Sequence, residues 1–491
     1  MSWLDNLIGF VSPKAAYMRE AWRISLDEVR NYDAGDQGRL NANWRAVNQS
    51  GEMTDRSERD IIRARARDLE RNSDMMNAVV GAFERNVVGG GYTLQARTPD
   101  EKTNYQLEKY WKQWIKKQNC DVTNQQSFNQ MLRMCVQRKK VDGGVLIHKT
   151  YTSGGVVPFK LQLLEVDELE SAQMTPRKQG NKVVGGIEYN GYNRPEGYWI
   201  RQYSVDGFSI ADPIYIPAKD MIFYFTKKRP SQVREISDMT TTMTRIRDTN
   251  EFITAVSVKQ RIMACLSVFI KKIAPGGGIG RGLNSTGDQY NYNGKMLVPG
   301  MIKELNPGEE VETVNPGGQS DDATNHIKTM QHLIGAGQGL SYEATSRDMS
   351  QTNYSSARQS MIEDDMTYAK DKELLQEIMD EIYETFVISG VLSGLFDIKD
   401  FWQNKEEYLE HEWFQTPKRW IDPLKESSAN KTALQTGQKT FQQISAENGK
   451  DWREQIEQMA DVIQYGKEKG VEMGGVIYGQ QYNGQTNDTG V

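Results

Sequence analysis

Side chains that usually carry enzyme chemistry are few and widely spaced in this sequence of 491 residues. Its four histidines include one close pair, His326 and His332, and a spacing of six does not put two imidazoles on one helix face. The acidic pairs Asp321–Asp322 and Asp364–Asp365 are neighbours along the chain, so on helices their carboxylates point apart. This arrangement favours solvated faces, and the sequence predicts no metal site.

Motifs that bind phosphate or activate a nucleophile are missing as well. The glycine-rich run GGGIGRG at 276–282 fits neither GxxxxGK[ST] nor GxGxxG after a strand, and it is interpreted as a flexible tip. No GxSxG elbow occurs. The sequence therefore predicts no catalytic residues, no cofactor and no enzyme.

Composition and charge narrow the class of protein further. Hydrophobic residues make up 37% and charged residues 26%, which predicts packed domains. No apolar run approaches the ~18 residues of a membrane span. A net charge of -6 disfavours a protein that neutralises many phosphates, although it suits one past which nucleic acid slides.

The chain start and the cysteines indicate a cytoplasmic protein. MSWLDNLIGFVSP lacks the basic region and cleavage site of a signal peptide, and its apolar helical face favours docking onto a protein over a membrane. Cys120, Cys135 and Cys265 form no CxxC pair and are predicted to be free thiols.

A polar segment before a long helix is the most distinctive local feature. From Ser341 to Tyr354 the chain is polar, with turn-forming Asp348, Ser350 and Asn353. From Ser355 on the pattern is helical, and Ser355 or Ser356 is predicted to cap that helix.

The surrounding elements predict an α+β protein. Helices and then short strands fill residues 56–236, and a long helix is predicted over 237–273. Its apolar stripe is interpreted as a subunit-packing surface, with a solvated face and an internal packing stripe as the alternative. The stripe consists of Phe252, Val256, Met263, Leu266 and Ile270.

Motifs along residues 55–470 resemble those of the portal (head–tail connector) proteins of lambda-like tailed phages. The resemblance is carried, in order, by RARARDLERNSDMMNAVVGAFERNVVGGGYTLQA, KVDGGVLI, LLEVDELES, GIEYNGYNRPEGYWI, KRPSQVREIS, DMSQTNYSSARQSMIE and the segment from RWIDPLKESSANK to DWREQIEQ. The chain departs from the family at Arg234–Glu235, where Arg-Gly is usual, and at Pro230–Ser231, where Pro-Gly is usual.

The resemblance implies a portal fold with wing, long-helix stem, β-rich clip and helical crown, assembled as a ring. The expected segments are an N-terminal arm 1–55, wing 56–236, stem helix 237–273, clip 274–323, return stem helix 324–340, tunnel loop 341–354, spine helix 355–395, wing closing segment 396–432, crown helices 433–473 and disordered tail 474–491.

The resemblance also implies a dodecameric channel at one capsid vertex of the virion, through which double-stranded DNA is packaged and ejected. Expected partners are further copies of the chain, the DNA, terminase, head-completion and tail connector proteins, and the capsid and scaffold proteins, with no membrane. A nucleotide- or metal-dependent packaging enzyme and a peripheral membrane scaffold are the alternatives.

Three groups of residues are candidates for the channel and its assembly, besides the stripe above. The tunnel loop would contribute Arg347, Asp348, Ser350, Gln351, Asn353 and Tyr354. The loop anchor would consist of Ser355, Ser356 and Arg358. Basic residues that could face the DNA near the stem ends are Lys271, Lys272 and Arg281.

Overall fold

The structure is a computed structural model, and most of the chain from residue 46 onward is described. The described residues are 12–15, 17–19, 21–22, 46–152, 154–204, 206–265, 269–272, 309–312, 320–350, 352–416 and 423–471. Contacts divide the chain into Met1–Thr54 and Asp55–Val491. The first unit includes most of a short helix α1, Gly51–Asp55, and the second contains the elements that follow.

Residues 59–88 form two successive helices. Helix α2 is Arg59–Asn72 and α3 is Asp74–Phe83, continued by the π-helical turn Glu84–Val88. Ser73 between them is extended, and its hydroxyl accepts a hydrogen bond from the Met76 N–H at 3.3 Å. Such an N-cap satisfies one backbone donor, so a new helix starts there.

Three further helices complete this part of the wing around an aromatic core. They are α4 Glu101–Trp114, α5 Lys117–Cys120 and α6 Phe128–Asp142. Trp111 and Trp114 of α4 are almost fully buried, and both rings lie against Phe386 at centroid distances of 5.2 and 5.6 Å. Cys120 and Cys135 are free and buried, as predicted, and the Cys265 side chain lies outside the described residues.

Antiparallel sheets supply the β part and confirm the α+β class. The strands are β1 Tyr92–Ala96, β2 Gly144–Thr150, β3 Lys160–Leu164, β4 Lys182–Val184, β5 Ile187–Tyr189, β6 Pro195–Tyr203, β7 Ser209–Pro217, β8 Met221–Phe225 and β11 His411–Gln415. A three-stranded sheet has β2 at its centre between β3 and β8, and a four-stranded sheet has the order β4-β5-β6-β7. Strand β1 pairs with β11, which lies more than 300 residues later in the sequence.

The long helix predicted over 237–273 is shorter in the structure. Helix α7 is Met243–Cys265, preceded by turns in which the Ser237 hydroxyl accepts from the Met239 N–H. Strand β9, Phe269–Lys272, pairs antiparallel with β10, Glu309–Glu312. The run FIKK does not alternate in polarity, so the strand is defined by this pairing and not by a sequence pattern. The helix that returns, α8, is Ser320–Gln338 and packs against α7.

The longest helix follows a short one. Helix α9 is Tyr342–Ser346, inside the segment predicted as loop, and α10 is Tyr354–Leu392, close to the predicted spine. The C-terminal half of α10 crosses the core, where Leu375, Met379 and Phe386 are buried.

Four helices lie near the C-terminus. Helix α11 is Lys405–Tyr408, α12 is Pro423–Gln435, α13 is Phe441–Glu447 and α14 is Trp452–Glu468. The last two lie within residues 433–473, where helices were expected. Helix α12 begins inside the predicted wing closing segment, and the predicted tail 474–491 lies outside the described residues.

Candidate functional site

The polar segment between α8 and α10 starts with a sharp reversal at Gly339. Gly339 has a positive φ of 69°, which suits glycine because it lacks a Cβ. Its carbonyl accepts a hydrogen bond of 2.6 Å from the Thr367 hydroxyl of α10, and the Leu340 N–H donates to the Gly335 carbonyl at 2.8 Å. The entry to the segment is therefore fixed to both helices.

Ser341 makes the strongest contact between this segment and α10. Its N–H and its hydroxyl donate to the two carboxylate oxygens of Asp364, each at 2.7 Å. Asp364 is 7% exposed, so its prediction as part of a solvated face is wrong. The Ser341 hydroxyl also accepts from the Ala344 N–H and thereby caps α9.

Asp348 organises the tip of the segment. Its carboxylate accepts a hydrogen bond of 3.0 Å from the Ser350 N–H and one of 3.4 Å from the Tyr342 hydroxyl. Hydrogen bonds from Ser350, together with the nearby charge of Lys328, lower the pKa of Asp348. The Tyr342 ring in turn stacks on His332 of α8 at 4.4 Å. The ionised carboxylate thus holds a turn.

The start of α10 is capped by Asn353. The Asn353 side-chain oxygen accepts from the N–H and from the hydroxyl of Ser356, both at 2.9 Å. The prediction that Ser355 or Ser356 is the cap is wrong, because Ser356 is the donor. Ser355 and Arg358 are exposed on the first turns of α10.

Of the remaining loop candidates, the structure describes Arg347 fully, Tyr354 in part and Gln351 not at all. Arg347 ends α9 in the left-handed conformation, with φ 58° and ψ 19°, and is exposed. The backbone of Tyr354 begins α10, but its side chain lies outside the described residues, as does all of Gln351. The structure therefore brings Arg347, Asp348, Ser350 and Asn353 together in one short segment.

The residues of the predicted subunit-packing stripe lie partly on a helix, α7, and partly on a strand, β9. Phe252 and Val256 are half-buried on α7, and the Phe252 ring lies 4.6 Å from the His326 ring of α8 in the same chain. Met263 is in the last turns of α7, whereas Ile270 is in β9 and does not continue the helical stripe. Leu266 lies outside the described residues.

The three basic candidates near the stem ends are not on a helix where the structure describes them. Lys271 and Lys272 lie in β9, where their register partners are Glu310 and Glu309 of β10. Arg281 lies outside the described residues.

Sequence reasoning missed a buried charge network that precedes α7. Arg234 and Glu235 are 2% and 0% exposed. The Arg234 Nε donates to Glu235 at 2.7 Å, and a second arginine, Arg63 of α2, donates to the same carboxylate at 2.9 Å. The Arg234 guanidinium also donates to the Gly185 and Val166 carbonyls. The only signal in the sequence was the departure from Arg-Gly at this position.

A second buried network joins α6, the turns that precede α7, and α10. Lys139 Nζ lies 3.0 Å from Asp238 and 2.6 Å from Asp371, and Lys140 Nζ lies 3.0 Å from Asp371. Burial alone would raise the pKa of Asp238, but the charges of Lys139, Lys140 and Lys228 outweigh it and lower that pKa. The carboxylate therefore remains ionised and joins three elements.

Neither a metal-binding cluster nor a membrane-spanning helix occurs within the described ranges. Within these ranges, no group of three His, Cys, Asp or Glu side chains is arranged to hold a metal ion. None of the helices there combines the length and the apolar content needed to cross a bilayer.

Comparisons with known proteins agree with the motifs. Residues 37–371 match the family model described as "Phage portal protein, lambda family". The probable portal protein of Halomonas phage phiHAP-1 is 24% identical, with 90% of this chain and 88% of the relative covered. Portal protein B of Escherichia phage lambda is 20% identical, with 88% of this chain and 89% of the relative covered.

A solved structure described as "Neck of empty GTA particle computed with C6 symmetry" has 13% identity and a TM-score of 0.46, covering 78% of this chain and 93% of that one. Because the family model covers more than half of the sequence, the chain belongs to the lambda family of phage portal proteins.

Proposed function

We propose that copies of this chain assemble into a closed, dodecameric ring at one vertex of a phage capsid, and that double-stranded DNA enters and leaves the head through its centre. Membership of the portal family supports this role. A ring of this kind needs a heterologous interface, and a chain with a wing, a two-helix extension and C-terminal helices offers different surfaces to its two neighbours.

We assign the segments of the portal fold to the elements described above. The wing comprises the helices and sheets from α2 to β8, with the C-terminal half of α10 and β11. The stem is the pair α7 and α8, the clip lies between β9 and β10, and the crown contains α13 and α14. Residues 1–55 form the N-terminal arm.

One observation carries the assignment of Ser341–Asn353 as the tunnel loop. The segment is bonded to α10 through Gly339–Thr367, Ser341–Asp364 and the Asn353 cap, while Met349 at its tip is 56% exposed. A loop that is held rigidly at its base and exposed at its tip suits a constriction. Passing DNA would meet the same geometry in every copy.

The charge of the chain suits weak contact with DNA. Proteins bind DNA tightly when their basic residues neutralise many phosphates and release counterions. A chain with a net charge of -6 has no excess of basic residues for this, so tight binding is disfavoured. Lys271 and Lys272 remain candidates for DNA contact, although the register that places them opposite Glu310 and Glu309 reduces the net charge of the sheet. Arg281 remains a candidate on its sequence position.

The same proposal defines the partners and excludes catalysis. Terminase would dock on the clip during packaging, and head-completion and tail connector proteins would replace it. Capsid and scaffold proteins would contact the wing, with no role for a membrane. We propose that the chain itself turns over no nucleotide. Robust ATP hydrolysis by the purified protein would contradict this.

Imaging and loop replacement test the proposal directly. Negative-stain images of the purified chain should show rings with a central hole. Replacing Met349–Thr352 with Gly-Ser-Gly-Ser preserves the Asn353 cap, so rings should form while packaged or retained DNA decreases. As a matched control, the exposed turn 191–194 between β5 and β6 receives the same four-residue replacement and should package normally. Absence of rings would refute the portal role, and normal packaging by the loop variant would refute the tunnel loop.

A further inference from the structure

A cavity of about 270 Å³ lies between the tunnel loop, α3 with its π-helical turn, and α10. Arg85 lines it from the π-helical turn and Arg347 from the end of α9, so two guanidinium groups share one small space. The loop side of the cavity also includes Met349. Arg85 was not among the residues that the sequence singled out.

The carboxylates around this cavity accept hydrogen bonds from groups other than its arginines. Both oxygens of Asp364 accept from Ser341, Glu343 accepts from the Thr352 hydroxyl at 3.1 Å, and Glu84 beside Arg85 accepts from Gln137 at 2.7 Å. In the part of the chain that the structure describes, neither Arg85 nor Arg347 forms an ion pair. The cavity is thus lined by two arginines and by the carboxylates of Glu343 and Asp364, with no ion pair between the two sets.

Three other arginines in this part of the chain are paired with carboxylates. Arg63 donates to Glu235 at 2.9 Å, Arg67 to Asp142 at 2.7 Å and Arg201 to Glu170 at 2.9 Å. The pKa of Arg85 is lowered first by burial and next by the positive charge of Arg347. The two guanidinium groups repel each other, and an anion bound between them would remove that repulsion.

The backbone of Arg347 adds a separate observation. A left-handed conformation is uncommon for a residue with a side chain, and such positions cluster at ligand-binding and switch sites. The conformation is set by the end of α9, which Ser341 caps, so the side chain is carried on a fixed turn.

We propose that Arg85 and Arg347 together bind one phosphate of the DNA backbone, which rests on the DNA channel proposed above. A phosphodiester has two oxygens that are free to accept hydrogen bonds, and guanidinium groups match such oxygens with charge-assisted bonds. One phosphate would satisfy both cations at once. A phosphate site of this kind gives the loop a grip on the backbone that does not depend on base sequence.

The test measures binding of a short DNA duplex to purified rings at a series of salt concentrations. Arg85→Gln and Arg347→Gly each remove one guanidinium, and glycine keeps the left-handed turn. Each variant should bind more weakly, with a logarithmic salt slope shallower by about 0.9 for the one phosphate lost. Because both groups hold the same phosphate, the double variant should show the slope of either single variant.

Arg65→Gln is the matched control, since Arg65 carries the same charge, is exposed on α2 and does not line the cavity. An equal effect of Arg65→Gln, or additive effects of the two cavity variants, would indicate diffuse electrostatics and overturn the site. Arg85→Lys should keep the slope and lose affinity. Thermal melts of each variant establish that the fold is intact.

Two further outcomes would show that a group other than a DNA phosphate occupies the cavity. Calorimetry with inorganic phosphate that shows binding lost in the double variant, while duplex binding is unchanged, assigns a free-phosphate site and overturns the DNA contact. Loss of rings in Arg85→Gln assigns a carboxylate of a neighbouring copy and overturns it too. If the wild-type chain forms no rings, the proposed portal function fails first, and this is visible before any variant is compared.

Discussion

The carboxylate of Asp364 binds Ser341 twice, through the backbone N–H and through the hydroxyl, each at 2.7 Å. The two residues are 23 positions apart, and the contact joins the beginning of the proposed tunnel loop to the third turn of α10. Ser341 also caps α9, so one buried carboxylate determines both where the loop starts and how its short helix is oriented.

The first prediction concerns this contact. Asp364→Asn replaces one acceptor oxygen with a donor, so one of the two bonds from Ser341 is lost. We expect the free energy of unfolding to fall by about 1–3 kcal/mol, since a buried donor is left without a partner. Cleavage in limited proteolysis should increase between Tyr342 and Thr352. The matched control is Glu363→Gln, which changes an exposed neighbour that accepts from Gln359. Equal protection of the loop in both variants would show that Asp364 does not hold it.

The second prediction separates packing within one stem from packing between stems. Phe252 contacts His326 of the same chain at 4.6 Å, whereas its neighbour Ile253 is 37% exposed. Phe252→Ala should lower the free energy of unfolding by about 1 kcal/mol, in the range measured for aromatic pairs. Ile253→Asp should leave the melting temperature of the chain unchanged and reduce ring formation in light scattering. Intact rings in Ile253→Asp would remove α7 from the subunit interface.

The sequence was sufficient for the class of fold and for the order of its elements, because each depends on local periodicity and on turn residues. The sequence was not sufficient where two residues, or two types of element, fit the local pattern equally well. Asn353 and Ser356 both favour caps, and only the register of α10 decides that Asn353 accepts. The end of α7 was misplaced for a related reason, since Phe269–Lys272 suits a helix stripe or a strand until β10 is present to pair with it.

The buried ion pairs could not be predicted from local sequence patterns, because their partners are distant in the sequence. Nothing near Arg234 and Glu235 in the sequence indicates that Arg63, from a helix more than a hundred residues earlier, completes their network. Asp364 was also expected to lie on a solvated face. Asp364 and Asp371 are buried because α10 contacts Ser341 and α6 at these positions, which is a property of the tertiary fold.

The third prediction concerns the step into the stem. Glu235→Gln leaves the guanidinium groups of Arg63 and Arg234 without their shared buried carboxylate. We expect the free energy of unfolding to fall by about 3–5 kcal/mol, as found when one partner of a buried ion pair is removed. Asp60→Asn is the control, because Asp60 pairs with the same Arg63 but its side chain is 85% exposed. That exposed pair should contribute about 0–1 kcal/mol. Equal losses in urea unfolding of the two variants would disprove the role assigned to Glu235.

The fourth prediction is a dependence of stability on pH that comes from Asp238. Its pKa in the folded chain lies below the usual value of 3.8, because the charges of Lys139, Lys140 and Lys228 outweigh the effect of burial. A carboxylate with a lowered folded pKa contributes stability above its unfolded pKa, and that contribution is lost as pH falls through the folded pKa. Asp238→Asn should therefore be less stable than wild type at neutral pH, by about 3–5 kcal/mol for a buried partner removed.

The difference between Asp238→Asn and wild type should shrink as the pH is lowered below about 4, where the wild-type carboxylate takes up a proton. Chemical unfolding measured from neutral to acid pH gives both curves. Asp212→Asn, an exposed carboxylate on β7, is the control and should follow the wild-type curve throughout. A constant difference across the whole range would mean that the Asn variant acts through packing, and that the ion pairs of Asp238 with Lys139 and Lys140 do not stabilise the junction of α6, the stem and α10.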